Sequence, residues 1–168
     1  MNKVKSIMEF AIRMEKNARD FYSYYAGLAK SEETKKLFFE LSEIENNHAL
    51  HLQKKYDSLG FENPPKAISW VVDDTSRSID PHIIADNSDL LAVDGKGDTD
   101  ISIIRMAFLI EDDFAHFYGK AVDAVEEQDI KDFLNEMKNW EIQHKDMFYA
   151  KYTKLLNEQW SDIMSILL

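Results

Sequence analysis

Apolar residues recur at helical spacing over residues 3–30: Val4, Ile7, Met8, Ala11, Met14 or Glu15, Ala18, Tyr22 and Tyr25. That stripe predicts an amphipathic helix. Ser31 can cap a second helix from about Glu32 to Leu59, with Leu37, Phe38, Leu41, Ile44, His48, Leu52 and Tyr56 on its stripe. Gly60 supplies the stop, because glycine tolerates the left-handed conformation that ends many helices. Asp98 or Thr99 can cap a third helix over about 100–125, and a fourth follows over about 128–156. Beyond it Trp160, Ile163, Met164 and Leu167 extend an amphipathic tail. The tail SDIMSILL can pack on the other helices, form a short fifth helix or enter a dimer contact, and the dimer contact is expected. No stretch alternates with period two, so strands are not expected.

Residues 60–98 differ in composition. Gly60, Pro64, Pro65, Pro81, Gly95 and Gly97 punctuate them among many Asp and Ser residues. A connection this long inside a compact domain suggests a crossover running the length of a bundle, with a short helical turn near Pro81 to Leu91. The chain also repeats itself. A shift of 96 residues pairs Ala11 with Ala107, Glu15 with Glu111, Phe21-Tyr22 with Phe117-Tyr118, and Tyr56 with Tyr152. Two helical hairpins of one pattern joined by a long link predict an all-α fold, an antiparallel four-helix bundle with pseudo-twofold symmetry and a single domain over residues 1–168.

The same shift pairs Glu45 with Glu141 and His48 with His144. A glutamate three places before a histidine lies beside it on one helix face. Glutamate is 14 of the 168 residues, so five histidines should yield such a pair less than once, whereas two occur at the repeat offset. Each falls on an apolar stripe, where an ionised carboxylate is costly unless compensated. Glu15 and Glu111 raise the same problem 30 residues upstream of Glu45 and Glu141. Four carboxylates and two imidazoles balance two divalent cations, and mixed oxygen and nitrogen donors suit iron or manganese.

Composition narrows the remaining chemistry. A formal charge of −11 opposes a nucleic-acid partner, since phosphate binding needs clustered Lys and Arg. The absence of cysteine removes disulfides, thiolate catalysis and Cys-ligated metals from these residues. No apolar run reaches the ~20 residues that span a bilayer, and residues 1–20 lack the apolar core of a signal peptide. A cytoplasmic protein is therefore expected, with no membrane partner.

Residues 3–59 and 100–156, with Glu15, Glu45-x-x-His48, Glu111 and Glu141-x-x-His144, resemble the ferritin-like superfamily and within it the rubrerythrin-like di-iron proteins. The resemblance implies that Glu45 and Glu141 bridge two iron ions, with Glu15, His48, Glu111 and His144 as terminal ligands and with manganese or zinc as substitutes. It further implies an oxidoreductase that reduces hydrogen peroxide or dioxygen with electrons from an external donor. Ferroxidase activity in iron handling, and a metal-binding structural or sensing bundle, are the alternatives. Two departures stand out. Phe114 occupies a position where rubrerythrins often carry an additional glutamate, and a rubredoxin domain, which needs cysteine, is not expected within these residues. The ligand set is the same whether the crossover stays within one chain or exchanges hairpins in a homodimer.

Tyr22 and Tyr118 follow a ligand glutamate by seven residues, two turns along the same face. They can hydrogen-bond a ligand carboxylate or serve as core tyrosines. His51 lacks a counterpart in the repeat, which places Met147 there, and a surface or satisfied histidine is expected. His82 and His116 are not expected to bind metal. Asp112 and Asp113 turn away from Glu111 towards solvent or a neighbouring helix. Trp140 and Trp160 are expected to pack.

Overall fold

The computed structural model describes residues 3–62 and 98–167. Its elements are α1 (Lys3–Leu28), α2 (Glu32–Ser58), α3 (Asp98–Ala124) and α4 (Gln128–Leu167). Among the described residues there is no strand. The crossover and its turn near Pro81 lie outside the described residues.

The chain divides into two compact units. The first contains most of α1 and α2; the second contains α3, α4 and the α1–α2 turn, Leu28–Lys36.

In the first unit the contacts between α1 and α2 run in opposite chain directions. Glu9 meets Tyr56, Arg19 meets Asn46, and Tyr22 packs edge-on against Phe38 with ring centroids 5.4 Å apart. The hairpin is therefore antiparallel. The α1 seam is Val4, Met8, Ala11, Ile12, Glu15, Ala18, Tyr22, Tyr25 and Ala26. Glu15, and not Met14, is the residue that faces inward: Glu15 is fully buried, whereas Met14 is half-buried.

On α2 the buried positions include Phe38, Leu41, Glu45, His48, Ala49, Leu52 and Tyr56. Ile44 is 36% exposed, contrary to the expected stripe. The seam runs Leu41, Glu45, His48, Leu52, and this register turns Ile44 about 100° outward. Gly60 takes φ +74°, and its N–H donates to the Asp57 carbonyl at 3.0 Å, closing α2 as a glycine stop should.

The second unit is antiparallel by the same reasoning. Phe108 packs on Tyr149 at 5.6 Å, and Asp112 faces Lys145 at 3.5 Å. Ile103, Ile104, Ala107, Leu134, Met137 and Phe148 fill its interior. In the turn, Ser31 accepts the Thr34 N–H on its hydroxyl at 3.0 Å, confirming the N-cap.

The fourth helix does not stop at Leu156. It runs on to Leu167 as one 40-residue element, and no separate fifth helix forms among the described residues. Residues 128–167 contain neither glycine nor proline, so nothing in them breaks the helix. Paired in register with the 27-residue α3, α4 outruns its start. Trp160 is consequently 62% exposed and does not pack as expected, while Trp140 is half-buried.

Candidate metal centre

Each unit carries its own grouping of two glutamates and one histidine. In the first, α1 supplies Glu15, and α2 supplies Glu45 and His48 one turn apart. His48 Nδ1 lies 3.3 Å from Glu45 Oε2 and 3.7 Å from Glu15 Oε2. In the second, α3 supplies Glu111, and α4 supplies Glu141 and His144. His144 Nδ1 lies 3.3 Å from Glu111 Oε2 and 3.5 Å from Glu141 Oε2. The same ring nitrogen faces the same carboxylate oxygens in both halves, as the 96-residue repeat requires.

All four glutamates are 0% exposed. Such burial is costly for a carboxylate without a cation or proton to offset its charge. The second unit shows the consequence. Burial pushes the Glu111 carboxyl up to about 8; His144 opposes the rise and Glu141 adds to it. Burial alone would lower the His144 imidazole, but Glu111 and Glu141 outweigh it and push it up to about 9. The residues are thus arranged to hold positive charge, as protons or as a metal ion. In each unit the pair, Glu45 with His48 and Glu141 with His144, offers carboxylate and imidazole donors of the kind that hold a metal ion. Oxygen with borderline nitrogen donors fits iron or manganese.

The other candidates separate clearly. Tyr22 and Tyr118 are both fully buried, with edge-on contacts to Phe21 and Phe117 respectively. Phe114 is also buried, so the position three residues after Glu111 carries apolar packing and no oxygen donor. His116 is a surface residue whose Nδ1 lies 2.8 Å from the Asp112 carbonyl. Asp112 faces Lys145 of α4, and Asp113 is exposed, in keeping with their inter-helix and solvated readings. His51 is half-buried, and His82 lies outside the described residues.

Sequence reasoning missed two polar anchors. Asp100 accepts the N–H groups of Lys30 and Ser31 at 2.8 and 3.0 Å. Burial would raise its carboxyl, but these hydrogen bonds hold it below the usual aspartate value. The Tyr56 hydroxyl lies 2.9 Å from Glu9 Oε1 and 2.8 Å from the Glu62 carbonyl. Burial and the neighbouring Glu9 push it up to about 12. Neither anchor leaves a mark in the sequence beyond an ordinary polar residue, because each partner lies far away or on the backbone.

Comparison with known proteins agrees with this architecture. A solved structure, a hypothetical protein from Pyrococcus furiosus, is 26% identical, with a TM-score of 0.65 covering 92% of this chain and 90% of the other. No curated protein matches the chain. The family model described as Rubrerythrin matches residues 6–152, a span that includes both Glu–Glu–His groupings. Four helices with no strand among the described residues make the fold class all-α, a ferritin-like four-helix bundle, as the sequence predicts. The chain belongs to the rubrerythrin family.

Proposed function

We propose that Glu15, Glu45, His48, Glu111, Glu141 and His144 hold two iron ions, and that the protein is a di-iron oxidoreductase of rubrerythrin type. Its substrate is hydrogen peroxide or dioxygen, and its electrons come from a separate donor in the cytoplasm. One observation carries the reading: a matching Glu–Glu–His grouping with fully buried glutamates occurs in each hairpin, inside a family match that spans both.

The donor set fits the metal. Two ferrous ions carry as much positive charge as four carboxylates carry negative, so loading offsets the burial cost of all four glutamates. Glu45 and Glu141 are the proposed bridges, with Glu15, His48, Glu111 and His144 as terminal ligands. Iron supplies one-electron steps between its ferrous and ferric states. The chain's own contribution is charge, orientation and protons. His48 and His144 present Nδ1 towards the carboxylates, so one ring orientation serves both halves. Phe114 keeps the carboxylate count equal between the halves and adds a buried apolar side chain one turn from Glu111. Reduction of peroxide to two waters consumes two electrons and two protons, and Tyr22 and Tyr118 are proposed to assist proton delivery. No step needs a separate general base.

The test is a rapid-mixing comparison on protein loaded anaerobically with ferrous iron, with bound iron counted beforehand. Two irons per chain, oxidised far faster by peroxide than by dioxygen, support a peroxidase. Faster oxidation by dioxygen moves the protein to a ferroxidase or oxidase, the reading that the missing glutamate at Phe114 favours. Two irons inert to both oxidants overturn the enzymatic reading and leave a structural or sensing site.

A further inference from the structure

Tyr56 has no part in the chemistry assigned to the metal centre, yet its surroundings suit proton transfer. Its ring is fully buried, on the α2 seam that also carries Glu45, His48 and Leu52. Eight residues separate it from His48, about 12 Å along the helix at ~1.5 Å per residue. A gap of that order is crossed by single-step electron tunnelling through protein. The Tyr56 hydroxyl meets two acceptors, Glu9 Oε1 at 2.9 Å and the Glu62 carbonyl at 2.8 Å. A phenol has one proton to donate, so the two compete for it. A carboxylate this close is within reach to take that proton outright. Glu9 also keeps contact with solvent: its side chain is 18% exposed, and Lys5 Nζ lies 3.9 Å from it.

Two other tyrosines lack this arrangement. Tyr25 is also buried, but its hydroxyl has no hydrogen-bond partner among the described residues, so a proton leaving it has no acceptor. The repeat supplies the second contrast. It pairs Tyr56 with Tyr152 and Glu9 with Arg105, so the register that offers a carboxylate in the first hairpin offers a cation in the second. Tyr152 is only half-buried, and Arg105 is exposed. The hairpins share their metal-ligand pattern and differ in this pair.

Resting on the di-iron reading of the site, we propose that Tyr56 is a redox-active side chain that gives one electron to an oxidant reacting there, while Glu9 holds its proton. The electron is needed when the site carries a single ferrous ion. Peroxide takes two electrons on its way to two waters, one more than a lone ferrous ion holds. Cleavage by one electron alone releases hydroxyl radical. Tyr56 supplies the second electron: its O–H bond breaks, the electron goes to the oxidant, and the proton goes to Glu9 Oε1. Two protons from solvent complete the two waters. A neutral tyrosyl radical, a protonated Glu9 and a ferric ion remain. The Glu9 carboxyl then donates to the phenoxyl oxygen, so the contact survives with its direction reversed. The buried ring never carries a positive charge, the form that burial penalises. One electron from the external donor, with the proton returned by Glu9, restores Tyr56.

The experiment uses the full chain loaded anaerobically with one ferrous ion per chain, with bound iron counted beforehand. It is mixed with hydrogen peroxide, frozen at successive times and read by electron paramagnetic resonance. A tyrosyl radical is expected, identified by the narrowing of its signal in protein grown on ring-deuterated tyrosine. Tyr56→Phe should abolish that signal and raise the hydroxyl radical caught by a spin trap. Glu9→Gln keeps a hydrogen-bonding partner without a base, and should lower the radical yield by about tenfold or more. Tyr152→Phe should leave the signal unchanged, and circular dichroism checks that each variant keeps its helix content. A radical that persists in Tyr56→Phe overturns the proposal, as does a yield that Glu9→Gln does not alter. A wild type that binds iron and oxidises it without a tyrosyl signal also overturns it, and leaves the di-iron reading standing. A wild type that binds no ferrous iron overturns that reading and the proposal with it.

Discussion

Asp100, in the first turn of α3, accepts the backbone N–H of Ser31 at 3.0 Å, and Ser31 is the residue that caps α2. One carboxylate thereby ties the α1–α2 turn to α3, with its other oxygen on the Lys30 N–H at 2.8 Å. Asn at this position keeps one acceptor for one N–H group and turns its amide donor towards the other. Asp100→Asn is expected to cost about 1–3 kcal/mol in urea unfolding at neutral pH. Because the folded-state value of Asp100 is lowered from 3.8, its contribution is present above that ordinary value and is lost as pH falls through the folded one. The variant should therefore converge on the wild type in strongly acidic solution. A gap that stays constant with pH would show that the charge of Asp100 is not what matters.

Glu45→Gln together with Glu141→Gln removes the two proposed bridging charges while keeping side-chain size. Bound iron, counted by elemental analysis, should fall well below the wild-type stoichiometry. Thermal stability should move in opposite directions in the two states. The metal-free variant should melt at or above the metal-free wild type, because two buried charges are gone, and it should gain less from added ferrous iron. Unchanged iron content would refute the ligand assignment.

Tyr56→Phe deletes only a hydroxyl, the one that reaches Glu9 and the Glu62 carbonyl. The expected loss is about 1–2 kcal/mol, the worth of a buried hydrogen bond whose partners are left behind. The folded value of Tyr56 is raised from 10.0 to about 12, so its contribution is complete below 10 and disappears as pH climbs towards 12. Tyrosinate absorbance should accordingly lose a component that titrates near 12 in the variant.

Phe38→Ala should be among the most damaging changes to the first hairpin. The ring is fully buried and stands edge-on to Tyr22 at 5.4 Å. Deleting it leaves a cavity worth about 3–5 kcal/mol, readable as a shift of the urea midpoint. Phe39→Ala one residue along, where the side chain is 51% exposed, should shift the midpoint by less than about 1 kcal/mol.

The features that the sequence determines alone are those set by neighbours on one helix. Glu45 lies beside His48, and Glu141 beside His144, because three residues are nearly one turn, and the 96-residue repeat follows from two hairpins built to one pattern. The Ser31 cap and the Gly60 stop are local for the same reason. Tertiary packing decided the rest. Met14 and Glu15 both fit the α1 stripe from sequence, and only the seam against α2 shows that Glu15 turns inward and that Ile44 turns out. The end of α4 depends on a tail that nothing interrupts, and the exposure of Trp160 depends on where its partner helix begins. The anchoring of Ser31 by Asp100 joins residues 69 apart, a pairing that no periodicity encodes. Hydrophobic spacing tells which residues can share a face. Which face is buried is a property of the neighbours that the fold supplies.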